Sequence, residues 1–461
     1  MLDFTLTPAA RLYAVKELAR RAGVTASQFR AWRIQTNPDA TIVYPEPGSA
    51  AAIMFPVTHA VDLEACTTHG WMSAGPPRSC PGVADLIVPF IPESGDSGQP
   101  LFRRSGDKAI ACSTDLLTVL VLVLSRFEET QRPERDEHGR FPATAAIAYR
   151  RHFLERPIVD EYGFAFEEAM LRLIPRWQAG RRRLRVKLSH DIDDVGVPFR
   201  VKTVAGHALR RKNVRAALTD CASTVSSVLP RSLAMVQELV RLSLDRELDS
   251  ALYWKATAWS RFDTGYDISH PKVARVLAWA RERSVEMGVH PAYDTFRAPD
   301  RLRAEVDRLR KALGVDRPGG RQHFLRWAPE TWADWEKCGM AYDSSVGFAD
   351  RVGFRAGTSI PYLPWSFVED RALHLLEIPL IVMDVTLLQY MNLEASRAVE
   401  AVRRLRDSCA VAGGVFTVLW HNSALLDPAY RRIYPPILDL LRGNARYDWE
   451  ADRTGLLSAH E

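Results

Sequence analysis

The 461-residue sequence has no long hydrophobic run, no paired-cysteine motif, no internal repeat and no dominant sign of charge. Its longest strongly apolar stretch, Leu116 to Leu124, is interrupted by Thr118 and falls well short of the ~18–20 residues that span a bilayer. The opening MLDFTLTPAARLYAVKELARRAG has neither an apolar core nor a small-residue cleavage site, so no secretory signal is read there and a soluble, cytoplasmic protein is expected. The six cysteines, at 66, 80, 112, 221, 338 and 409, form no CxxC, and none pairs with a histidine at zinc-finger spacing. Reduced thiols are therefore expected. The balance of 61 basic against 56 acidic residues, a net +5, is too weak for a nucleic-acid binder. The short basic runs Arg181–Arg183 and Arg210–Lys212 read as solvated faces. What is present, 47% apolar and 25% charged residues, suits a globular chain long enough for two or three domains, or for one large domain with an appendage.

Two Pro/Gly-rich stretches, 75–82 and 92–100, read as loops. Short β-like runs lie in 41–56 and 86–91, and a helix through LLTVLVLVLSRFEE follows, with Thr114 as the expected N-cap. A helix is expected at about 164–176, and the basic run after it marks a boundary near residue 180. Beyond it the pattern alternates. Strands are expected at 184–194, 250–258, 285–290, 319–327, 341–345, 374–384 and 414–422. Helices are expected near 205–227, 231–246, 270–284, 300–314, 329–339 and 393–410. Such alternation over ~240 residues implies an α/β domain with a mostly parallel sheet, of a length that suits a TIM-type barrel or a relative of it.

Chemistry in parallel α/β folds gathers at the C-terminal ends of the strands. Here those ends carry His190-Asp191-Ile192-Asp193-Asp194, then His290 with Tyr293 and Asp294, then Arg321 and His323, then Asp343, then His421-Asn422. In a strand Asp191 and Asp193 point to the same side, and two carboxylates facing one space call for a cation or a shared proton. Each residue alone also has a plain structural reading. An Asp-x-Asp can cap a helix, His290 or His421 can be packed in the core, and Arg321 can simply pair with Asp343. Their recurrence at successive strand ends is what favours a site.

The order of these segments resembles the polysaccharide deacetylases, the NodB-homology fold of carbohydrate esterase family four. SHDIDD (189–194), VHPAYD (289–294), GRQHFLRW (320–327), YDSSVGF (342–348) and FTVLWHN (416–422) stand in the order of that family's five motifs. LSRFEE (124–129), DEHGRF (136–141) and RPIVDEYG (156–163) resemble the region preceding the deacetylase in one branch. The resemblance implies a distorted (β/α) barrel over 181–461 behind an N-terminal α+β accessory domain over 1–180. Two departures stand out. The family's adjacent Asp pair is Asp191-Ile192-Asp193 here, with Asp193-Asp194 as the competing assignment, and the second histidine of its His-xxx-His is Asp294.

By that resemblance Asp193, His290 and Asp294 would hold a divalent metal, zinc first, with manganese, iron or cobalt as alternatives; His323 is the other choice for third ligand. The metal would activate water and polarise the carbonyl. Asp191 would be the base, oriented by Arg321, and His421 the acid that protonates the leaving amine, held in its charged state by Asp343. Tyr293, His323, Arg355 and Trp420 are expected to contact a carbohydrate substrate. Phe324 and Trp327 could share the platform, though core packing explains each aromatic equally, and 348–367 reads as a loop over the pocket. Removal of an N-acetyl group from a sugar is the leading expectation. The alternatives are hydrolysis of a non-carbohydrate C–N bond and a catalytically silent glycan-binding or scaffold protein. His59, His69, His138 and His152 show no ligand spacing, and structural roles are expected for all four.

Overall fold

The computed structural model describes residues 1–73, 75–77, 80–91, 98–196, 228–256 and 260–460. The helix expected near 205–227 lies outside them. The N-terminal third opens with α1 (Pro8–Arg21), whose N-cap Thr7 accepts from the Ala10 N–H. A five-stranded sheet follows, of β1 (Arg33–Thr36), β2 (Ala40–Tyr44), β3 (Ala52–Pro56), β4 (Phe102–Gly106) and β5 (Ala109–Cys112) in the order β1-β2-β3-β5-β4. All its pairs are antiparallel except β3 with β5.

The apolar run forms α2 (Leu116–Leu124), buried on every side, as its lack of a polar face requires. Its cap is Asp115 and not Thr114: the Asp115 carboxylate accepts from the Thr118 N–H at 3.1 Å, and Arg11 pairs with it at 3.2 Å. The helix α3 (Ile158–Leu173) starts earlier than the sequence suggests. Its acidic first turn is satisfied by distant partners, Asp160 accepting from the Ser359 backbone at 2.8 Å and from its hydroxyl at 2.8 Å. One continuous apolar cluster joins α1, α2 and α3 to later segments, including Trp332, Tyr362 and Leu375.

The rest of the chain is a mixed α/β unit with a parallel sheet. Its strands are β6 (Arg185–Ile192), β7 (Ser250–Trp254), β8 (Glu286–Val289), β9 (Tyr342–Asp343), β10 (Leu376–Glu377), β11 (Val382–Met383), β12 (Val415–Leu419) and β13 (Ala445–Arg446). The order β8-β7-β6-β12-β11 is hydrogen-bonded, with β13 also on β6 and β9 paired with β10. Single bridges at Gly320, to Val289 and to Asp343, connect β8 to β9. The 319–327 segment thus contributes one bridging residue and a turn, not the expected strand.

The strand expected over 374–384 is broken into β10 and β11. Pro379 between them has no N–H to give, and the Ile381 N–H donates to the Thr417 side chain instead. No ladder joins β10 to β11 among the described residues, and the sheet pairings there do not close on themselves. Helices α4 (Arg231–Leu244), α5 (Pro271–Arg281), α6 (Pro299–Leu313), α7 (Pro329–Lys337), α8 (Ala395–Ala412) and α9 (Pro428–Leu441) intervene. Behind the sheet, Val186 and Leu188 of β6 share a core with Val402 and Leu405 of α8 and with Ile433 and Ile437 of α9. No described helix is long and apolar enough to cross a membrane, and Cys66, Cys80, Cys112, Cys338 and Cys409 are free thiols.

Candidate active site

Parallel pairing brings the C-terminal ends of neighbouring strands to one level. Asp191 is in register with Tyr253 on β7, and just past β8 the His290 N–H donates to the Trp254 carbonyl at 2.8 Å. On the other side of β6 the Trp420 N–H donates to Ser189 O at 3.0 Å, which sets His421 beside the acids. Gly320 allows the next approach: a Cβ there would stand 2.0 Å from the Val289 carbonyl oxygen, so only glycine lets the chain turn Arg321 inward. Phe324 (φ 62°) and Leu325 (φ 54°) follow in left-handed conformation, a costly pair for side chains of this size, and they close the turn that presents His323.

Arg321 is completely buried and every edge of its guanidinium is used. It donates to Asp191 Oδ1 at 2.9 Å, to Ser189 Oγ at 2.9 Å, to Ser344 Oγ at 3.1 Å and to the Ser344 carbonyl at 2.9 Å. Burial alone would raise the Asp191 pKa, but His290, Arg321 and His421 outweigh it and the group stays below the usual carboxylate range. Asp193 goes the same way and further: burial is overcome by Lys255, His323 and His290.

Asp193, His290 and His323 present one ligand atom each, all within 4.8 Å of one another. His290 Nδ1 faces the Arg321 carbonyl at 2.7 Å, so Nδ1 carries the proton and Nε2 offers its lone pair inward. His323 Nδ1 lies 2.7 Å from Asp263, which orients that ring the same way. Burial, the largest influence, lowers the His323 pKa to about 4 despite Asp193, keeping the ring neutral as a ligand must be. Asp193 Oδ1 and His290 Nε2 stand 3.2 Å apart, both buried and without a hydrogen bond. Two acceptors that close call for a cation beside or between them. The donor set, one carboxylate oxygen and two imidazole nitrogens, suits a divalent transition metal. Lys255 also reaches this point, with Nζ 3.1 Å from Asp193 Oδ1 and 3.1 Å from His323 Nε2.

Opposite, His421 Nε2 lies 3.7 Å from Asp193 Oδ2. Its Nδ1 meets Asp384 Oδ1 at 2.7 Å, and its backbone N–H donates to Asp384 Oδ2 at 2.7 Å. Burial would lower the ring's pKa, but Asp384, Asp193 and Asp191 together carry it up to about 9, so His421 is an imidazolium at neutral pH. These groups line a cavity of about 330 Å³ whose remaining wall includes Phe324, Leu325, Met383, Leu419, Tyr390 and Tyr430.

Several expected site residues are elsewhere. Asp294 sits half-buried on the turn Tyr293–Thr295, outside the ligand group, and His323 takes the third position. Asp343 is not on His421: its carboxylate accepts from the Ser345 N–H at 2.9 Å and from the Ser345 hydroxyl at 2.5 Å, and burial raises it to about 7. Arg355 is buried in a two-pronged pair with Glu129 at 2.9 and 2.6 Å. Tyr293 packs at a tilt on Phe262 at 4.4 Å, Trp327 meets Trp332 at 4.5 Å, and Trp420 stacks on Tyr434 at 4.5 Å. All three are core residues, and Phe324 alone of the expected platform faces the cavity. No residue of 348–367 lines the cavity; Phe348 packs with Phe141 and Ala143 instead.

Four residues at the site were not singled out from the sequence. Asp384 ends the expected strand 374–384, where the strand-end pattern could have found it; Lys255 lies inside the expected strand 250–258 and comes to a strand end only because the observed strand stops at Trp254. Asp263 lies after β7, and nothing in its neighbours marks it. Arg140 comes from the N-terminal third and lines the cavity. It donates to Asp136 at 2.7 Å, to the Phe324 carbonyl at 3.1 Å and to the Tyr390 hydroxyl at 3.0 Å. His138 of the same segment packs on Phe324 at 4.6 Å.

Residues 68–175 match a family of unknown function (DUF7033). No curated protein matches the chain. Among solved structures it is similar to a Mycobacterium smegmatis protein assigned as a polysaccharide deacetylase, at 15% identity and TM-score 0.41 over 61% of this chain and 92% of that one. It is also similar to PuuE allantoinase, at 14% identity and TM-score 0.41 over 62% and 94%. A third, from Pseudomonas aeruginosa PAO1 and also assigned as a polysaccharide deacetylase, has 13% identity and TM-score 0.38 over 59% and 90%. Likenesses this remote do not carry an activity across.

Proposed function

We propose that the chain is a metal-dependent hydrolase that removes the N-acetyl group from a sugar in a glycan or glycan precursor, its catalytic portion a distorted (β/α) barrel of the deacetylase type. The observation that carries this reading is the division of labour around one cavity. An ionised, arginine-held carboxylate, a three-donor ligand group and a protonated histidine face the same space. Amide hydrolysis requires a base for water, charge stabilisation at the carbonyl and an acid for the amine.

Asp193, His290 and His323 would hold a divalent metal, zinc by ligand type, which would supply Lewis acidity and lower the pKa of water. Asp191 accepts the proton of the attacking water on the oxygen that Arg321 does not hold. Arg321 keeps Asp191 ionised and fixed. His421 Nε2–H donates its proton to the departing nitrogen, which would otherwise leave as an unstable anion. Asp384 orients the ring and stabilises its charge. Phe324, Leu325 and Tyr390 offer apolar faces to the sugar, and Arg140 brings the N-terminal third to the same wall. The test is metal analysis of the purified protein with acetate release from N-acetylhexosamine oligomers and nucleotide-linked N-acetylhexosamines. One metal per chain and acetate release are expected. A metal-loaded protein that hydrolyses cyclic amides and releases no acetate would move the substrate class; a protein that binds no metal would overturn the mechanism.

A further inference from the structure

Lys255 has no part in the chemistry above, yet it reaches the centre of the site. It follows β7, is 1% exposed, and its ammonium faces Asp193 Oδ1 at 3.1 Å, His323 Nε2 at 3.1 Å and Asp263 Oδ1 at 3.2 Å. The contact with His323 Nε2 is a hydrogen bond, and the two with Asp193 and Asp263 are ion pairs. Two of these three partners are atoms a metal also needs. A neutral imidazole nitrogen has a single lone pair, so His323 Nε2 cannot accept from Lys255 and ligate a metal at once. Asp263 is the one acceptor that metal binding leaves to the ammonium, and it also orients His323 through Nδ1. We propose that Lys255 is a tethered cation that competes with the metal for Asp193 and His323, holds the metal-free site together, and retreats to Asp263 when the metal binds. This rests on the reading that Asp193, His290 and His323 form the metal site. It assigns Lys255 the role of setting the affinity that any incoming metal must exceed, an offset that applies to every divalent ion alike and excludes the weaker binders.

The test compares metal-free wild-type protein with Lys255→Met and Lys255→Gln, titrated calorimetrically with Zn²⁺ and separately with Mn²⁺, and melted with and without metal. Both variants are expected to bind one ion with a Kd at least tenfold lower than wild type. They should melt lower without metal, where Asp193 and Asp263 lose their counter-ion, and gain more on adding it. An unchanged or higher Kd at the same stoichiometry overturns the competition. If neither variant folds without metal, refolding on addition of Zn²⁺ is expected, and failure to refold with Zn²⁺ also overturns it. A wild-type protein and variants that all bind no metal, indistinguishable from His290→Ala, would instead defeat the metal site itself, and the role of Lys255 with it.

Discussion

Asp384 holds His421 at two points: one carboxylate oxygen accepts the backbone N–H at 2.7 Å and the other meets ring Nδ1 at 2.7 Å. The backbone N–H fixes the carboxylate, rotation of the ring would break its Nδ1 contact with that carboxylate, and Nε2 is left aimed at Asp193 and the cavity. An imidazolium so placed directs its acidic proton at the cavity, and the paired carboxylate keeps that proton on the ring above neutrality.

The first prediction concerns pH. On the proposed mechanism turnover needs Asp191 ionised and His421 protonated, so activity should hold through neutrality and fall at alkaline pH as His421 gives up its proton. The same shift has a sign for stability. A pKa raised on folding gives stabilisation that is complete below the ordinary 6.5 and is lost as pH rises through about 9. Asp384→Asn should bring the alkaline limb of kcat down toward the ordinary histidine range and lower kcat by about 10²–10⁴-fold. Asp343→Asn should leave that limb in place, because Asp343 is occupied by Ser345. A pH–rate profile that moves with Asp343 and not with Asp384 would reverse the pairing.

The second prediction separates ligands from neighbours. His323→Ala should weaken metal binding by more than about 100-fold, beyond the 10–100-fold typical of losing a group that merely supports a ligand. Asp294→Ala should leave stoichiometry and affinity unchanged. Asp191→Asn should abolish turnover while metal stays bound. Metal analysis after dialysis, alongside initial rates, reads all three, and retention of full metal by His323→Ala would return the third position to another group. Chelation should remove activity and lower the melting temperature, since an ion bound only by the folded state stabilises it.

The third prediction weighs the Arg321–Asp191 pair. Removing one partner of a buried ion pair leaves an uncompensated charge at a cost of about 3–5 kcal/mol. Arg321→Met should lose about that much in denaturant unfolding. Adding Asp191→Asn to it should recover part of the loss, because the stranded charge is gone. Double-mutant cycles report this coupling; a strictly additive result would mean that the two groups do not depend on each other.

How far the sequence revealed this site follows from what each residue depends on. Asp191, Asp193, His290, Arg321 and His421 follow short apolar runs or sit beside a glycine bridge, so local pattern alone puts them at one end of a parallel sheet. The partner of His421 could not be read that way. Asp343 and Asp384 both end expected strands, and the choice between them is made by β11 lying beside β12 while Asp343 turns back on Ser345. Asp294 stood where the resemblance placed a ligand, but the 3-10 turn after β8 carries it out of the cluster, and the left-handed pair Phe324-Leu325 brings His323 in, a backbone event that composition does not announce. The contribution of Arg140 depends on contacts 184 and 250 residues away in sequence, beyond any local pattern.

The last prediction tests a residue whose expected role the fold redirects. Arg355, read as a substrate contact, instead donates twice to Glu129, both side chains almost fully buried, and once to the Gly347 carbonyl at 3.0 Å. Its guanidinium lies over Trp327 at 5.1 Å and Phe348 at 5.2 Å, so its charge and its flat face are both spent on joining 348–367 to the N-terminal third. Arg355→Met should therefore cost stability, but less than the about 3–5 kcal/mol of a fully stranded buried charge, because Arg126 still pairs with Glu129 at 2.8 Å, and Arg355→Met with Glu129→Gln should recover part of the loss. Measured well below its melting temperature, the double variant should keep kcat and KM within about twofold of wild type, the size of effect expected away from reacting groups. A KM that rises steeply while stability stays unchanged would put Arg355 on the substrate and the Glu129 pair in a secondary place.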